Sequence, residues 1–338
     1  MNTIFRLKVS REEEILILYN EIKAKLIITK IMEPSDVFNA LGTAAIINNR
    51  YLRSYIILMG KVIAEFNCEV NCYGHNDIIK YLLNKEHLLP QIYCNEYNKE
   101  KFAQLDSENY STEIHQKNTI YRAIMDDDKH SFITFTLQDG FDEKQRLKSE
   151  LYPYSFDEGY SLLELCCYYG AVDCFKFLRS EFESEITIEC LKLAFLGGNS
   201  EILSECLKYQ KPDCDCMRFA IASHNIDYVS FLINEYNCCT QNEAYAHYYN
   251  LEAFFAYLLN SQNQSKFMMY FALFKINIPS LFEYFLSHGL DLSHRDEYCQ
   301  TILHIAVHYK SKCFAKFLIS HGADVNAKDR FGRKALNA

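Results

Sequence analysis

Residues that break helices are scarce: the 338-residue chain has 11 glycines and 5 prolines. That scarcity excludes long series of tight turns and favours helices joined by short loops. No block of five or more Lys/Arg residues occurs, and acidic residues outnumber basic ones 44 to 35, for a net charge of −9. The attraction that drives nucleic-acid binding is therefore missing at the level of the whole chain, and no nucleic-acid partner is expected. No apolar run approaches the roughly 18 residues a membrane span needs. Met1 to Val9 has no apolar core flanked by a cleavage site, so no secretory signal is expected. Asn109-Tyr110-Ser111 and Asn263-Gln264-Ser265 accordingly read as chance matches to the glycosylation pattern. A glycine-rich phosphate loop, a dinucleotide fingerprint and a His-Glu-x-x-His string are absent too.

What is abundant is apolar. The chain is 49% hydrophobic and 14% aromatic, enough to bury a core and too much for a disordered chain. Its 14 cysteines fall short of disulfide-scaffold density. Cys166 and Cys167 are adjacent, as are Cys238 and Cys239, and several others sit at apolar helix positions. Free cysteine behaves as a small buried hydrophobe. A reducing, intracellular and cytoplasmic-type compartment is the expectation.

Apolar anchors with partners three and four residues later mark one face of a helix. They recur at Phe175/Leu178, Leu203/Cys206/Leu207, Val229/Leu232/Ile233, Phe254/Tyr257/Leu258, Leu281/Tyr284/Phe285 and Phe314/Phe317/Leu318. The spacings are 28, 26, 25, 27 and 33 residues. A small or polar joint precedes each of the first five: Ala171-Val172-Asp173, Asn199-Ser200-Glu201, Asn225-Ile226-Asp227, Asn250-Leu251-Glu252 and Asn277-Ile278-Pro279. Asn there can cap the following helix. Thr119 to Phe135 reads as one more pair, followed by a polar insert from Asp139 to Gly159. Before that come plain amphipathic helices: Ser10 to about Lys30, one starting at Pro34-Ser35, one over about 50–67, and a second-helix mimic from Asp77 to Leu83. The stretch 90–118 reads as a linker.

Near the end, two segments echo each other 33 residues apart. Ser287-His288-Gly289-Leu290-Asp291 becomes Ser320-His321-Gly322-Ala323-Asp324, and Asp296 recurs as Asp329. Thr301-Ile302-Leu303-His304-Ile305-Ala306 resembles the opening of an ankyrin repeat, and 33 is the ankyrin period. The match is carried over about 279–338 and departs from the family pattern at Cys299, Ile302 and Lys310. The layout resembles protist ankyrin-repeat proteins in which a degenerate ankyrin-like domain of unknown function precedes full repeats. Gly159 to Phe175, Phe195-Leu196-Gly197-Gly198-Asn199, Ser204 to Asp213 and Ser223-His224-Asn225-Ile226-Asp227 carry that resemblance.

The resemblance implies an all-α helical-repeat solenoid with a helical N-terminal region. Residues 1–118 form that region, 119–278 the degenerate helix pairs, and 279–338 the ankyrin repeats, the last incomplete. The shorter upstream period leaves no room for a β-hairpin finger, so fingers are expected only near 288–300 and 321–333. Ala338 would fall inside the first helix of a further repeat, so the chain is either cut short or ends in a frayed unit. The family implies a non-catalytic scaffold binding another protein, without cofactor. It also implies hydrogen bonds from Thr301 and His304 to backbone within and between repeats. Partners of such arrays dock on finger tips and adjoining first helices, which here means Arg295, Glu297, Tyr298, Gln300, His308, Tyr309, Arg330, Phe331 and Arg333. The alternative is a structural module whose N-terminal helices self-associate or recruit the partner.

Other candidate chemistry reads better as structure. Cys68, Cys72 and His75, with His87 and Cys94, lack the second tight ligand pair of a zinc site. Cys206, Cys214 and Cys216 are weaker still. Cys190 and Cys206 lie on helix faces without a nearby base. Asp126-Asp127-Asp128 lacks the alternating spacing, the glycine and the terminal Glu of a calcium loop, and reads as an inter-helix turn. Gly197-Gly198-Asn199 reads as a joint between helices.

Overall fold

Short polar side chains open most of the repeat helices by accepting a hydrogen bond from the first turn. Thr119, Asp128, Ser161, Thr187, Asn199, Asp213 and Asn225 each do this. Asn250 accepts from the amide of Ala253 in the same way. Each such cap stabilises its helix by about 1 kcal/mol. The computed structural model describes residues 1–67, 77–88, 96–107, 110–153, 158–238, 243–260 and 278–337. The chain is all-α apart from one two-stranded sheet among those residues.

Six helices come first: α1 (Asn2–Phe5), α2 (Glu12–Ile22), α3 (Pro34–Ile47), α4 (Leu52–Phe66), α5 (Asp77–Lys85) and α6 (Glu96–Ser107). The helix expected to run to Lys30 instead passes into a π-helical stretch, Lys23–Ile28. Helix α6 lies where a linker was expected. It is held by few apolar contacts: Leu105 is buried, Phe102 packs edge-on against Tyr81 at 5.8 Å, and the Tyr81 hydroxyl donates to Asp106 at 2.7 Å. So sparse an apolar face leaves little periodicity to read.

Helix pairs follow: α7 (Ile120–Asp126) with α8 (Lys129–Thr136), α9 (Leu162–Tyr169) with α10 (Val172–Glu181), and α11 (Ile188–Gly197) with α12 (Ser200–Tyr209). Next are α13 (Cys214–Ala222) with α14 (Ile226–Tyr236), and α15 (Glu243–His247) with α16 (Leu251–Asn260). The C-terminal stretch holds α17 (Pro279–Ser287), then α18 (Ile302–His308) with α19 (Lys312–Ser320). First helices are buried nearly all round, and every residue of α9 is buried. Second helices bury one stripe, such as Cys174, Phe175 and Leu178 on α10. The described residues form two compact units, one of 1–16 and 41–240 and one of 17–40 and 241–338.

In the first unit, the insert between α8 and α9 folds back as a short antiparallel pair. β1 (Arg146–Leu147) pairs with β2 (Tyr160–Ser161), in register Arg146 to Ser161. The buried Glu164 carboxylate ties this corner together. It accepts from the Ser161 amide at 2.8 Å, from Arg146 at 3.0 Å and from the Thr187 hydroxyl of the next pair at 3.1 Å. The three aspartates at 126–128 have separate structural tasks. Asp126 pairs with Arg122 at 2.6 Å, Asp127 accepts from the amides of Asp173 and Cys174, and Asp128 caps α8. Cys190, Cys206 and Cys216 are buried, and no cluster able to hold a metal ion occurs among the described residues. Cys68, Cys72, His75 and Cys94 lie outside the described residues.

A chain of buried polar groups joins α3–α4 to α9 in this unit. Asn49 donates to the Leu151 carbonyl at 2.9 Å and accepts from the Tyr169 hydroxyl at 3.1 Å. The Tyr169 and Tyr152 hydroxyls lie 2.8 Å apart, and Tyr152 lies 2.7 Å from Nε2 of His115. Only one direction gives each of these contacts a proton: His115 Nε2–H to Tyr152, Tyr152 to Tyr169, Tyr169 to Asn49. Burial, helped by the nearby Arg122 and only partly opposed by Asp126, pushes the His115 imidazole down to about 4, which keeps the ring neutral near pH 7. The neighbouring Tyr168 hydroxyl donates to the Ile47 carbonyl at 3.0 Å.

Adjacent first helices meet at Gly170 and Gly197. A Cβ on Gly197 would stand 2.0 Å from the carbonyl oxygen of Cys167 and 2.9 Å from that of Tyr168, so only glycine fits. The Gly197-Gly198-Asn199 joint is thus structural, with Asn199 capping α12.

In the second unit, aromatic rings form the core. Phe255 stacks on Phe285 at 5.9 Å, and Phe282 packs on Phe314 at 4.7 Å and on Phe317 at 5.1 Å. Leu281 and Tyr284, expected on the core face of α17, are half-buried and exposed, and Phe282 with Phe285 takes that face instead. The larger Phe282 ring wins the contact with the next helix, rotating the buried stripe by one residue.

Gly197→Ala is expected to lower stability by about 1–3 kcal/mol, the usual cost of overpacking a close contact. Urea unfolding of the full chain measures this, and an unchanged midpoint would contradict the close approach.

Candidate functional site

The tip candidates sit on two fingers whose turns are organised by one aspartate each. In the first, the Asp296 carboxylate accepts from the amides of Tyr298 at 2.9 Å and Gln300 at 2.8 Å. In the second, Asp329 accepts from the amides of Phe331 and Arg333, both at 2.9 Å. Each finger closes with an antiparallel bridge, Arg295 to Thr301 and Lys328 to Lys334. These bridges fall where the 33-residue echo places fingers. Cys299 takes φ +57° and its counterpart Gly332 takes φ +75°. Lys310 also takes φ +57°. The family's glycine conformation is therefore kept at both substituted positions, at a strain of about 1 kcal/mol each.

Asp329 is buried and pairs with the Arg333 guanidinium at 2.8 Å. Burial alone would push its carboxyl up. The hydrogen bonds it accepts from the backbone and side chain of Arg333 and from the backbone of Phe331 outweigh that and hold it below the usual carboxylate range.

Five candidates come together across the two tips. The Arg330 amide donates to the Tyr298 carbonyl at 2.9 Å, and Arg295 donates to the Lys328 carbonyl at 2.8 Å. The Arg330 guanidinium lies 5.5 Å from the Tyr298 ring centre and 5.4 Å from that of Phe331, with Arg333 at 5.0 Å from Phe331. Tyr298 and Phe331 are nonetheless 53% and 66% exposed. Two large rings are thus held in place by cations while presenting their surfaces to solvent. Glu297 is exposed and Gln300 half-buried beside them. His308 and Tyr309 pack edge to face at 4.9 Å on each other at the far end of α18, about 10 Å along the helix axis from Thr301.

His304 is fully buried and joins the two repeats. Its Nδ1 accepts from the Thr301 amide at 3.2 Å, so the ring proton sits on Nε2, which donates to the Arg333 carbonyl at 3.1 Å. The backbone bonds that the resemblance implied for His304, within and between repeats, are both present, while the Thr301 hydroxyl lies 2.9 Å from Nδ1 of His304. Sequence reasoning noticed the recurrence of Asp296 and Asp329 but not their role in shaping the tips. It also passed over Lys328, whose carbonyl anchors Arg295.

Comparisons with known proteins agree with this geometry. Residues 182–257 match the family model of a domain of unknown function (DUF3447), and residues 243–329 match that of ankyrin repeats. The chain thus carries a DUF3447 region followed by ankyrin repeats, and its described elements are mostly helical. No curated protein matches it. Among solved structures, an ankyrin repeat protein from Leishmania major is 13% identical, with 64% of this chain and 74% of that chain covered and a TM-score of 0.26. That likeness is too slight to support any argument. Ankyrin repeats support a role in protein–protein interaction, and the family is generally non-catalytic. Among the described residues no helix is long and apolar enough to cross a membrane.

His304→Ala is expected to destabilise the chain by about 1–3 kcal/mol, because the Thr301 amide and the Arg333 carbonyl lose their partner. Thermal melting is the check, and an unchanged midpoint would contradict the bridging role.

Proposed function

We propose that the chain is a non-catalytic scaffold that binds another protein through the tips of its C-terminal fingers. The observation carrying this reading is the exposed Tyr298–Arg330–Phe331 cluster. Tyr and Arg are enriched among residues that dominate binding energy, and rings already immobilised lose little entropy on docking. Arg295, Glu297, Gln300 and Arg333 form the polar rim, with His308 and Tyr309 as a flank toward the adjoining helix. Residues 279–338 hold eight Lys/Arg against six Asp/Glu, a local positive excess in a chain of net −9. That balance suits a partner surface carrying acidic groups around an apolar pocket. In this division of labour, residues 1–118 and the degenerate pairs of 119–278 support the repeats of 279–338.

A second reading, self-association through the N-terminal helices, draws on the exposed Ile17 and Ile28. Capture of partner proteins by the immobilised full chain, compared with a Tyr298→Ala/Phe331→Ala variant, separates the two. The variant is expected to retain less than about a tenth of the captured partner, as loss of two hot spots implies. Undiminished capture would sink the finger-tip reading and favour the second.

A further inference from the structure

The first unit contains a recess of about 230 Å³ whose lining includes Arg6, Lys8 and Arg50 and no carboxylate. Three cations facing one hollow without a counter-charge is unexpected in a chain with 44 acidic residues and 35 basic ones. Two of the three are placed by a strap built from the N-terminal segment. The Ile4 carbonyl accepts from the Tyr55 hydroxyl at 2.7 Å, the Leu7 carbonyl from Asn48 at 2.8 Å, and the Val9 carbonyl from the Ser54 hydroxyl at 2.7 Å. Phe5 stacks on His224 at 4.2 Å, and Asn2 lies 2.8 Å from the same ring. Just past α1, Phe5 and Leu7 are buried while Arg6 and Lys8 are exposed. Neither Arg6 nor Lys8 has an ion-pair partner among the described residues.

Arg50 comes from the opposite wall. Its guanidinium donates to the carbonyls of Met125 and Tyr169, the latter at 3.1 Å, and lies 5.4 Å from the Tyr169 ring. One Nη serves both carbonyls, which leaves the remaining N–H groups of a rigid fork available. Tyr51 and Tyr228 complete the walls, and Gly198 gives an open floor with no heavy atom in reach of a Cβ.

We propose that this recess binds a phosphate dianion, either inorganic or as the monoester of a small molecule. A single carboxylate would leave two of the three positive charges unmatched. Guanidinium forks match phosphate oxygens in geometry as well as charge. The volume lies below the roughly 300–1,000 Å³ of drug-sized sites, so it suits a phosphate group and a short ester rather than a nucleotide.

Isothermal titration of the full chain at constant ionic strength tests this, with inorganic phosphate, glycerol 2-phosphate and acetate as separate probes. Saturable binding of one or both phosphate probes is expected, and the tighter of them identifies the source. Arg6→Gln/Lys8→Gln should weaken it by about tenfold or more, as loss of two charged hydrogen-bond donors implies. Lys208→Gln, an exposed cation of α12 outside the recess, should leave it unchanged. Melting in chloride confirms that the double variant is folded; if it is not, Lys8→Gln alone should show a smaller loss. Acetate binding as tightly as phosphate, equal binding by the variants, or no saturable phosphate binding at millimolar concentration would each overturn the proposal.

Discussion

The hydrogen-bond chain from His115 through Tyr152 and Tyr169 to Asn49 is the constraint on which the rest of the first unit depends. Its members come from four separated stretches of sequence, and they are buried. An unpaired polar group in such surroundings costs far more than a satisfied one contributes. No member can therefore be left alone at low cost, and the stretches must assemble together. The low proton affinity of His115 belongs to the same arrangement, since an imidazolium would be both desolvated and repelled by Arg122. Once Tyr168 and Tyr169 are fixed, α9 is fixed. The Gly170–Gly197 contact then sets the distance of the next first helix, and Glu164 ties the next joint through Thr187. Order spreads along the array from one buried junction.

The C-terminal repeats use smaller devices for the same end. Asp296 and Asp329 each bind the amides of their own turn, and His304 carries the connection from one repeat to the next finger. Because these groups satisfy the backbone internally, the tips can be short and still rigid. Tyr298 and Phe331 then stand outside a framework that does not need them for its core. The finger-tip reading proposed above rests on this separation of supporting groups from exposed rings.

Legibility in the sequence followed the range of the interaction. Helix pairs were readable because caps and apolar anchors lie within four residues of each other, as with Asn199, Leu203 and Cys206. Fingers were readable because the 33-residue echo preserved Asp296 and Asp329. Helix α6 was not, since Leu105 and Phe102 give it too few anchors. The β1–β2 pair was not, since two-residue strands leave no alternation to detect. At α17 the helix was readable but its phase was not, because Phe282 and Leu281 are both apolar and only packing against Phe314 chooses between them. The junction itself was invisible: Tyr168 and Tyr169 look like ordinary core aromatics, and their partners lie more than 100 residues away at Asn49 and Ile47. The nine candidate residues came from family resemblance, and the grouping of five of them at the tips became visible only through contacts such as that of Arg330 with Tyr298.

The central claim is that α4 and the first helix pairs share one cooperative core through that junction. Native-state hydrogen exchange on Asn49→Ala, compared with the unaltered chain, tests it most directly. Amides of α4 and of α9 should lose protection together and by the same amount, on the order of 1–3 kcal/mol for a buried group left without its partner. Loss confined to α4, with α9 keeping its full protection, would contradict a shared core.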